Sequence, residues 1–201
     1  MSREIHVRFR EGGRARLPRA TRPVLVFARK EDAERVMDVL PKRFGKYGLT
    51  VHPEKTRLIY FGKPQKREEG TPEPPQWKKF NFLGFTHYWG RSRKGAWVVK
   101  RKTDSSRFTR ALKGISEWCR RNRHKSLDEQ QRALALKLNG HYAYYGIIGN
   151  SRCLGNFRSQ VRRVWRKWLM RRSRGQYMRW ERFHQLLQRY PLPPARIVHA
   201  C

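Results

Sequence analysis

The apolar positions predict a strand followed by a helix near the start of the chain. Residues 24–27 (VLVF) form a short apolar run with β-branched side chains, which predicts a strand. The residues after it place apolar side chains at helical spacing, so we expect an amphipathic helix that ends near Gly48. Pro41 is expected to kink this helix or divide it. The apolar positions of the helix are Ala33, Val36, Met37, Leu40, Phe44 and Tyr47.

Short strands and polar connections are predicted on either side of this pair. Residues 57–61 (RLIYF) read as a strand, and residues 79–85 (KFNFLGF) and 96–100 (AWVVK) predict a hairpin with a long connection. Residues 63–76 are polar and proline-rich, which predicts a loop. Residues 1–23 are basic and interrupted by Gly and Pro, and we expect them to be irregular.

From about Asp104 the apolar period becomes helical and predicts about four helices. Ser126 and Glu129 have the spacing of a capping box at the start of the second helix, and Pro191 lies beyond the end of the last. The fold class is therefore α+β, a strand-and-helix part followed by a basic helical bundle. The four apolar stripes are Phe108, Leu112, Ile115 and Trp118; Leu127, Leu134, Leu138, Tyr142 and Tyr145; Leu154, Phe157, Val161, Val164, Trp165 and Trp168; and Trp180, Phe183, Leu187 and Tyr190.

The charge balance indicates a polyanionic partner. Forty-eight Lys and Arg against 15 Asp and Glu give a formal net charge of +33, which is too large for an ordinary soluble enzyme. Seven Trp, eight Tyr and ten Phe exclude a disordered basic tail. No apolar run is long enough to span a bilayer, so we expect nucleic acid rather than a membrane as the partner. The three cysteines, at 119, 153 and 201, favour neither a disulfide framework nor a zinc site, and we expect a bacterial cytosolic or nucleoid location.

The third predicted helix carries the densest group of basic residues. Between Ser151 and Tyr190 there are twelve Arg or Lys, and Glu181 is the only acid. We expect its polar face to bind phosphates; a solvated charged face is the alternative, but such faces normally mix both signs. His141 and Tyr144, just before this helix, are candidates to stack on a base or bond a phosphate, with a packing cluster at a helix end as the alternative. The candidate basic residues are Arg158, Arg162, Arg163, Arg166, Lys167, Arg171 and Arg172.

No catalytic constellation is visible in the sequence. There is no metalloprotease, phosphate-loop or nucleophile-elbow motif, and the seven histidines are scattered. The aspartates, at 32, 38, 104 and 128, are not paired in a way that would hold two Mg²⁺ ions. We therefore expect no metal site and no cofactor in this chain.

Three stretches together resemble the C-terminal half of group II intron-encoded proteins, the reverse transcriptase/maturases that bind their own intron RNA. They are GLTVHPEKTRLIYFGK (48–63), FNFLGFTHYW (80–89) and LNGHYAYYGIIGNSRCLGNFRSQVRRVWRKWLMRRS (138–173). After the irregular basic segment at 1–23, the resemblance implies part of a polymerase palm at 24–103 and a helical thumb or maturase X domain at 104–201. It further implies that the thumb binds intron RNA, assists its folding and splicing, and holds an RNA–DNA primer–template.

The same resemblance assigns roles to two short segments of the palm part. Lys55 would match the palm lysine that approaches the leaving pyrophosphate as a general acid in a complete polymerase; the alternative is a surface lysine on a turn. The primer-grip hairpin would be Phe82, Leu83, Gly84 and Phe85, where the glycine lets backbone approach a nucleic-acid strand closely.

The chain departs from the family at the catalytic turn. Where the family has a Tyr-Ala-Asp-Asp turn that holds Mg²⁺, this chain has Arg19-Ala20-Thr21-Arg22, and an arginine there would repel the ion. We expect no polymerase chemistry from this chain alone, and Mg²⁺ only if a partner supplies the aspartates.

Three hypotheses follow. The first hypothesis is that the chain is an RNA-binding maturase fragment whose ligand is group II intron RNA or another structured RNA. Alternatively, it is the C-terminal half of a split RNA-directed DNA polymerase, completed by a partner that carries the missing N-terminal half. The third hypothesis is a degenerate remnant of a mobile element.

Overall fold

The computed structural model describes residues 24–52, 56–64, 79–172 and 177–199, together with the backbone of Arg3–His6 and Phe9–Arg10. These residues divide into two compact units, one from 1–80 and 87–99 and the other from 81–86 and 100–201. Helices and strands are mixed, which confirms the α+β class. The elements are β1 (Arg3–His6), β2 (Phe9–Arg10), β3 (Val24–Phe27), α1 (Lys30–Gly45), β4 (Thr50–Val51), β5 (Arg57–Tyr60), β6 (Phe80–Phe82), β7 (Phe85–Arg91), β8 (Trp97–Thr103), α2 (Ser105–Arg121), α3 (Leu127–Tyr145), α4 (Ser151–Met170) and α5 (Trp180–Arg189).

The N-terminal unit contains an antiparallel three-stranded sheet in the order β3-β1-β5, beside the two-stranded pair β2-β4. Strand β1 is central, with Ile5 opposite Leu25 on one side and Leu58 on the other. Helix α1 packs on apolar side chains of this unit through Ala33, which is fully buried. The prediction that residues 1–23 are irregular is thus corrected at Arg3–His6 and Phe9–Arg10. Strands this short are defined by backbone pairing with distant partners, which a local apolar pattern does not reveal.

Helix α1 is continuous through Pro41, so the prediction of two separate pieces is corrected. Proline removes one backbone donor, while Met37 and Leu40 still pack against Ala33 on the buried side. The helix ends as expected near Gly48, which has a φ of +68°. The backbone N–H of Leu49 donates to the carbonyl of Phe44 at 3.1 Å, closing a glycine-type helix end.

Residues 79–103 form two consecutive hairpins rather than one. The predicted strand 79–85 is interrupted at Leu83 and Gly84, whose φ values are +46° and +79°, so β6 and β7 are joined by a two-residue turn. Positive φ at both central residues is typical of the hairpin turns whose twist matches that of the strands. Strands β7 and β8 are joined in turn through Ser92–Ala96, and the sheet order is β6-β7-β8.

The helical unit has a single continuous apolar core. Helices α3 and α4 contribute most of its fully buried side chains, α2 and α5 close it, and the predicted stripes form most of it. The predicted capping box at Ser126 and Glu129 is present, with both reciprocal hydrogen bonds. The buried core residues are Ile115, Cys119, Leu134, Leu138, Tyr142, Leu154, Phe157, Val161, Trp165, Leu169, Phe183 and Leu192.

The segment after α5, residues 191–199, has no regular secondary structure and packs against the helical unit. Its backbone approaches Gly146, whose carbonyl accepts from the N–H of Val198 at 2.7 Å and of His199 at 2.9 Å. A Cβ added at Gly146 would lie 3.0 Å from the carbonyl oxygen of Arg196, so the glycine permits this approach. None of the helices in the described residues is long and apolar enough to cross a membrane.

Candidate nucleic-acid interface

Of the seven basic residues predicted to bind nucleic acid, five lie on α4, and Arg171 and Arg172 directly follow its last residue. The apolar stripe of this helix faces the core, and the flanking positions are shared between a side that meets the rest of the chain and a side that faces solvent. Residues four apart lie on the same side of a helix, so Arg158, Arg162 and Arg166 form one group and Arg163, Lys167 and Arg171 the other.

Two members of the first group bind carbonyl groups of the chain itself. Arg158 donates from Nε to Pro193 and from Nη2 to Leu192, both at 3.0 Å. Arg166 is 8% exposed and donates from Nε to the carbonyl of Met178 at 2.9 Å. Both guanidinium groups therefore anchor the segments around α5 through part of their N–H groups, and their predicted role in phosphate binding stays a prediction.

Arg162 lies between these two residues and is half-buried. Burial and the neighbouring charge of Arg158 lower the pKa of its guanidinium. Its Nε is buried and has no hydrogen-bond partner among the described residues. Like its neighbours, Arg162 does not belong to the solvent-exposed side of the helix.

The second group forms what we call the α4 basic stripe: Arg163, Lys167 and Arg171. All three are exposed and follow one another at intervals of one helical turn. Arg171 and Lys167 lie over the ring of Trp168, at 5.0 and 5.7 Å from its centroid. Arg172, also exposed, reaches back to the carbonyl of Lys125 at 3.2 Å. The stripe therefore presents three adjacent cations to solvent, two of them packed on one indole.

Helix α2 holds the ring beneath this stripe in place. The indole Nε1 of Trp168 donates to Ser116 Oγ at 3.1 Å, and the indole is partly buried against the core. Because a fixed ring restricts the side chains stacked on it, less conformational entropy is lost when Lys167 and Arg171 bind an anion.

The predicted primer-grip residues pack against the end of α3, within the helical unit. The hydroxyl of Tyr144 donates to the carbonyl of Leu83 at 2.8 Å, and the Tyr144 ring stacks on Phe85 at 5.9 Å between centroids. The Gly84 carbonyl accepts from the N–H of Asp104 at 2.9 Å. A Cβ at Gly84 would lie 3.1 Å from Tyr145 Oη, so the two-residue turn fits closely on the tyrosine pair. Leu83 itself is 57% exposed and projects from this support.

His141 and Tyr144 occupy different environments although they are one turn apart. The His141 ring stacks on Phe157 at 3.8 Å and contacts Tyr145 at 4.5 Å. Burial lowers the pKa of its imidazole to about 4, so the ring is neutral at pH 7. Tyr144 is 53% exposed. Of the two, Tyr144 alone presents a large open surface.

Asn150 positions this region and was not predicted from the sequence. It is fully buried; its Oδ1 accepts from the N–H of Thr103 at 3.0 Å, and its Nδ2 donates to Thr103 Oγ1 and to the carbonyl of Tyr145, both at 2.8 Å. The end of β8 is thereby joined to the connection between α3 and α4. An Asn immediately before a helix suggests an N-cap, but here the amide binds a distant strand instead.

Two predictions concern residues outside the described part of the chain. Lys55 and the segment Arg19–Arg22 lie outside the described residues, and their roles stay predictions. Among the residues that the structure describes, no group of three His, Cys, Asp or Glu side chains is placed to hold a metal ion.

Sequence comparison identifies the helical unit. Residues 108–188 match the family model of the group II intron, maturase-specific domain. The match supports a group II intron maturase C-terminal region over these residues. The match spans most of α2 to α5, so the α4 basic stripe lies within the maturase-specific domain. Maturase regions of this family take part in intron splicing. No curated protein sequence matches the chain significantly.

Proposed function

We propose that this chain binds structured RNA, in particular group II intron RNA, through the α4 basic stripe and thereby assists intron folding and splicing. The observation that supports this most directly is the division of the basic residues on α4. The guanidinium groups on one side bind the chain's own carbonyls, whereas Arg163, Lys167 and Arg171 are left exposed on the other side.

The electrostatics of the helical unit favour a polyanion. Each phosphate neutralised by Lys or Arg releases condensed counterions, and this release drives association. Arginine adds bidentate hydrogen bonds to phosphate oxygens, and the stacked indole of Trp168 orients two of the cations in advance.

The Leu83–Gly84 turn supplies a second surface for nucleic acid in the same unit. Its backbone rests on Tyr144 and Tyr145, while Leu83 and Tyr144 remain exposed. Under the proposal, this turn contacts a strand of the bound RNA or of an RNA–DNA primer–template. A partner that supplies the catalytic part of a polymerase would use the turn as its primer grip, with Mg²⁺ held by the partner's aspartates. Primer extension with that partner tests this role.

Charge reversal of the stripe tests the main proposal. The variant Arg163→Glu/Lys167→Glu/Arg171→Glu is expected to weaken binding to a structured intron RNA by at least about 10-fold, because three phosphate contacts become repulsive. The measurement is a filter-binding or fluorescence-anisotropy titration at constant salt.

A matched control uses three exposed basic residues in the N-terminal unit, two on α1 and one directly after it. Arg35→Glu/Lys42→Glu/Lys46→Glu makes the same change in net charge on and beside a helix that also carries Glu31 and Asp32. It is expected to alter RNA affinity much less than the α4 variant. Equal losses in the two variants would contradict a role for the α4 stripe.

A further inference from the structure

Arg166 is a buried cation that makes cation–π contacts with two aromatic rings. Its Nε and Nη2 both donate to the single carbonyl of Met178, and no carboxylate pairs with it among the described residues. Its guanidinium carbon lies 4.3 Å from the ring centroid of Trp180 and 5.3 Å from that of Tyr177. A guanidinium over a ring is attracted to the negative face of the π system, so Arg166 fixes both rings from one side.

The two rings nevertheless remain open to solvent. Tyr177 is 73% exposed and Trp180 is 37% exposed. Trp180 is also held by an edge-to-face contact with the buried ring of Phe183, at 5.8 Å. We call Tyr177 and Trp180 the aromatic platform: two exposed rings supported by a buried cation and by the core.

The charges around the platform are complementary to nucleic acid. The exposed charged residues next to Trp180 in the sequence are Arg179, Glu181 and Arg182, so the cations outnumber the one acid. An aromatic surface among cations suits a nucleobase, because every base offers a π face for stacking and its phosphate carries the charge that the arginines attract.

We propose that the aromatic platform stacks an unpaired base of the RNA. The inference rests on the proposed RNA-binding function and adds to it a preference for RNA with exposed bases. In a continuous duplex the bases already stack on one another and are inaccessible, so the platform distinguishes single-stranded loops, bulges and overhangs from paired stems. Phosphate binding by the α4 basic stripe makes no such distinction.

Two RNA probes separate these contributions in the full chain. The first is a hairpin with a single-stranded uridine loop, and the second is a blunt, fully paired duplex of the same stem sequence. Tyr177→Ala is expected to weaken binding of the hairpin by about 5-fold or more, which corresponds to the usual contribution of one stacked base. Duplex affinity and the salt dependence of both affinities are expected to stay unchanged, because the substitution removes no charge.

Two further variants control the result. Tyr177→Phe keeps the ring and is expected to retain hairpin affinity to within about 2-fold, since stacking does not need the hydroxyl. Tyr47→Ala removes a tyrosine that is 78% exposed in the N-terminal unit and is expected to change neither affinity. Circular dichroism of Tyr177→Ala should match the wild type, because the side chain is largely outside the core.

The outcomes separate the platform from the proposed function. If Tyr177→Ala leaves hairpin affinity unchanged, or weakens hairpin and duplex equally, the platform does not stack a base, although RNA binding through the stripe stands. If the wild-type chain binds neither probe, the proposed function and the platform both fall. Loss of hairpin affinity with unchanged duplex affinity and rescue by phenylalanine supports the inference.

Discussion

The role of a basic side chain in this protein depends on what covers its position on the helix. Arg158 and Arg163 are on the same helix, five residues apart, yet the first binds two carbonyls of the C-terminal segment and the second is exposed. A sequence pattern locates the apolar stripe of α4 but does not show that residues 191–193 lie against one of its flanks. The division between anchoring and exposed arginines therefore required the structure.

At the same scale, His141 couples stability to pH. Its folded pKa of about 4 is below the ordinary value of 6.5, so the unfolded chain binds the proton more readily. The free energy of unfolding should therefore be fully retained above pH 6.5 and decrease as the pH falls from 6.5 towards 4. A single such group contributes at most about 1.4 kcal/mol per pH unit, and less when it is partly exposed.

The variant His141→Phe tests this coupling. It keeps an aromatic ring against Phe157 and removes the titrating group, so its stability should decrease less than that of the wild type between pH 7 and pH 5. Urea unfolding at the two pH values measures the difference. Parallel losses in the wild type and the variant would show that His141 does not titrate as described.

Among the elements, the β6–β7 turn places a leucine at a positive φ and also packs closely against the end of α3. Leu83 has a φ of +46°, a conformation that costs a residue with a branched side chain about 1 to 2 kcal/mol. Its carbonyl is nevertheless held by Tyr144, and the following glycine fits against Tyr145. The turn was missed because Leu-Gly lacks the Asn-Gly or Asp-Gly signature from which such turns are recognised.

Leu83→Asn should therefore stabilise the protein by roughly 0.5 to 1 kcal/mol, because asparagine tolerates positive φ. The backbone hydrogen bond to Tyr144 is kept. Leu136→Asn makes the same chemical change at a residue that is 73% exposed in α3, and it should destabilise by a few tenths of a kcal/mol through lower helix propensity. Urea unfolding compares the two; a similar loss in both variants would contradict the account of the turn.

The segment after α5 is the element that most changes the interpretation of α4. It has no regular secondary structure, apart from an isolated bridge between Ile147 and His199, but its carbonyls accept from Arg158, Tyr142 and Gln131. Leu192, near its start, is 3% exposed. The segment therefore completes the core of the helical unit.

Arg158→Ala should reduce the free energy of unfolding by about 2 kcal/mol, because buried carbonyls of the segment lose their charged donor. Arg163→Ala, on the exposed side of the same helix, should change it by no more than about 0.5 kcal/mol. Thermal unfolding monitored by circular dichroism provides the comparison. Equal effects would mean that the segment is not held through Arg158.

For the molecule as a whole, the sequence was most informative where the apolar pattern repeats over several helical turns. It was least informative where a residue's pairing or hydrogen-bond partners are distant in the sequence. The stripes of α2, α3 and α4 recur over several turns, and residues such as Leu134, Leu138 and Phe157 are in the core as expected. Strand β1 and Asn150 were missed because each depends on partners more than fifteen residues away. The maturase identification rests on residues 108–188, where the periodic pattern is clearest.

The net charge of +33 sets the global behaviour of the chain. Self-repulsion of this size opposes compaction, and a bound polyanion relieves it. RNA binding should therefore show the strong salt dependence of counterion release, which stacking or apolar contacts do not produce.

The most direct test of the central claim is the affinity for a structured intron RNA measured between about 0.1 and 0.5 M salt, for the wild type and for Arg163→Glu/Lys167→Glu/Arg171→Glu. The logarithm of the association constant should fall linearly with the logarithm of salt concentration, with a slope of about −0.7 to −0.9 per phosphate contacted. The variant should have a slope that is less steep by about 2 to 3, one phosphate for each reversed charge. A wild-type affinity that does not change with salt, or an identical slope in the variant, would contradict RNA binding through the α4 basic stripe.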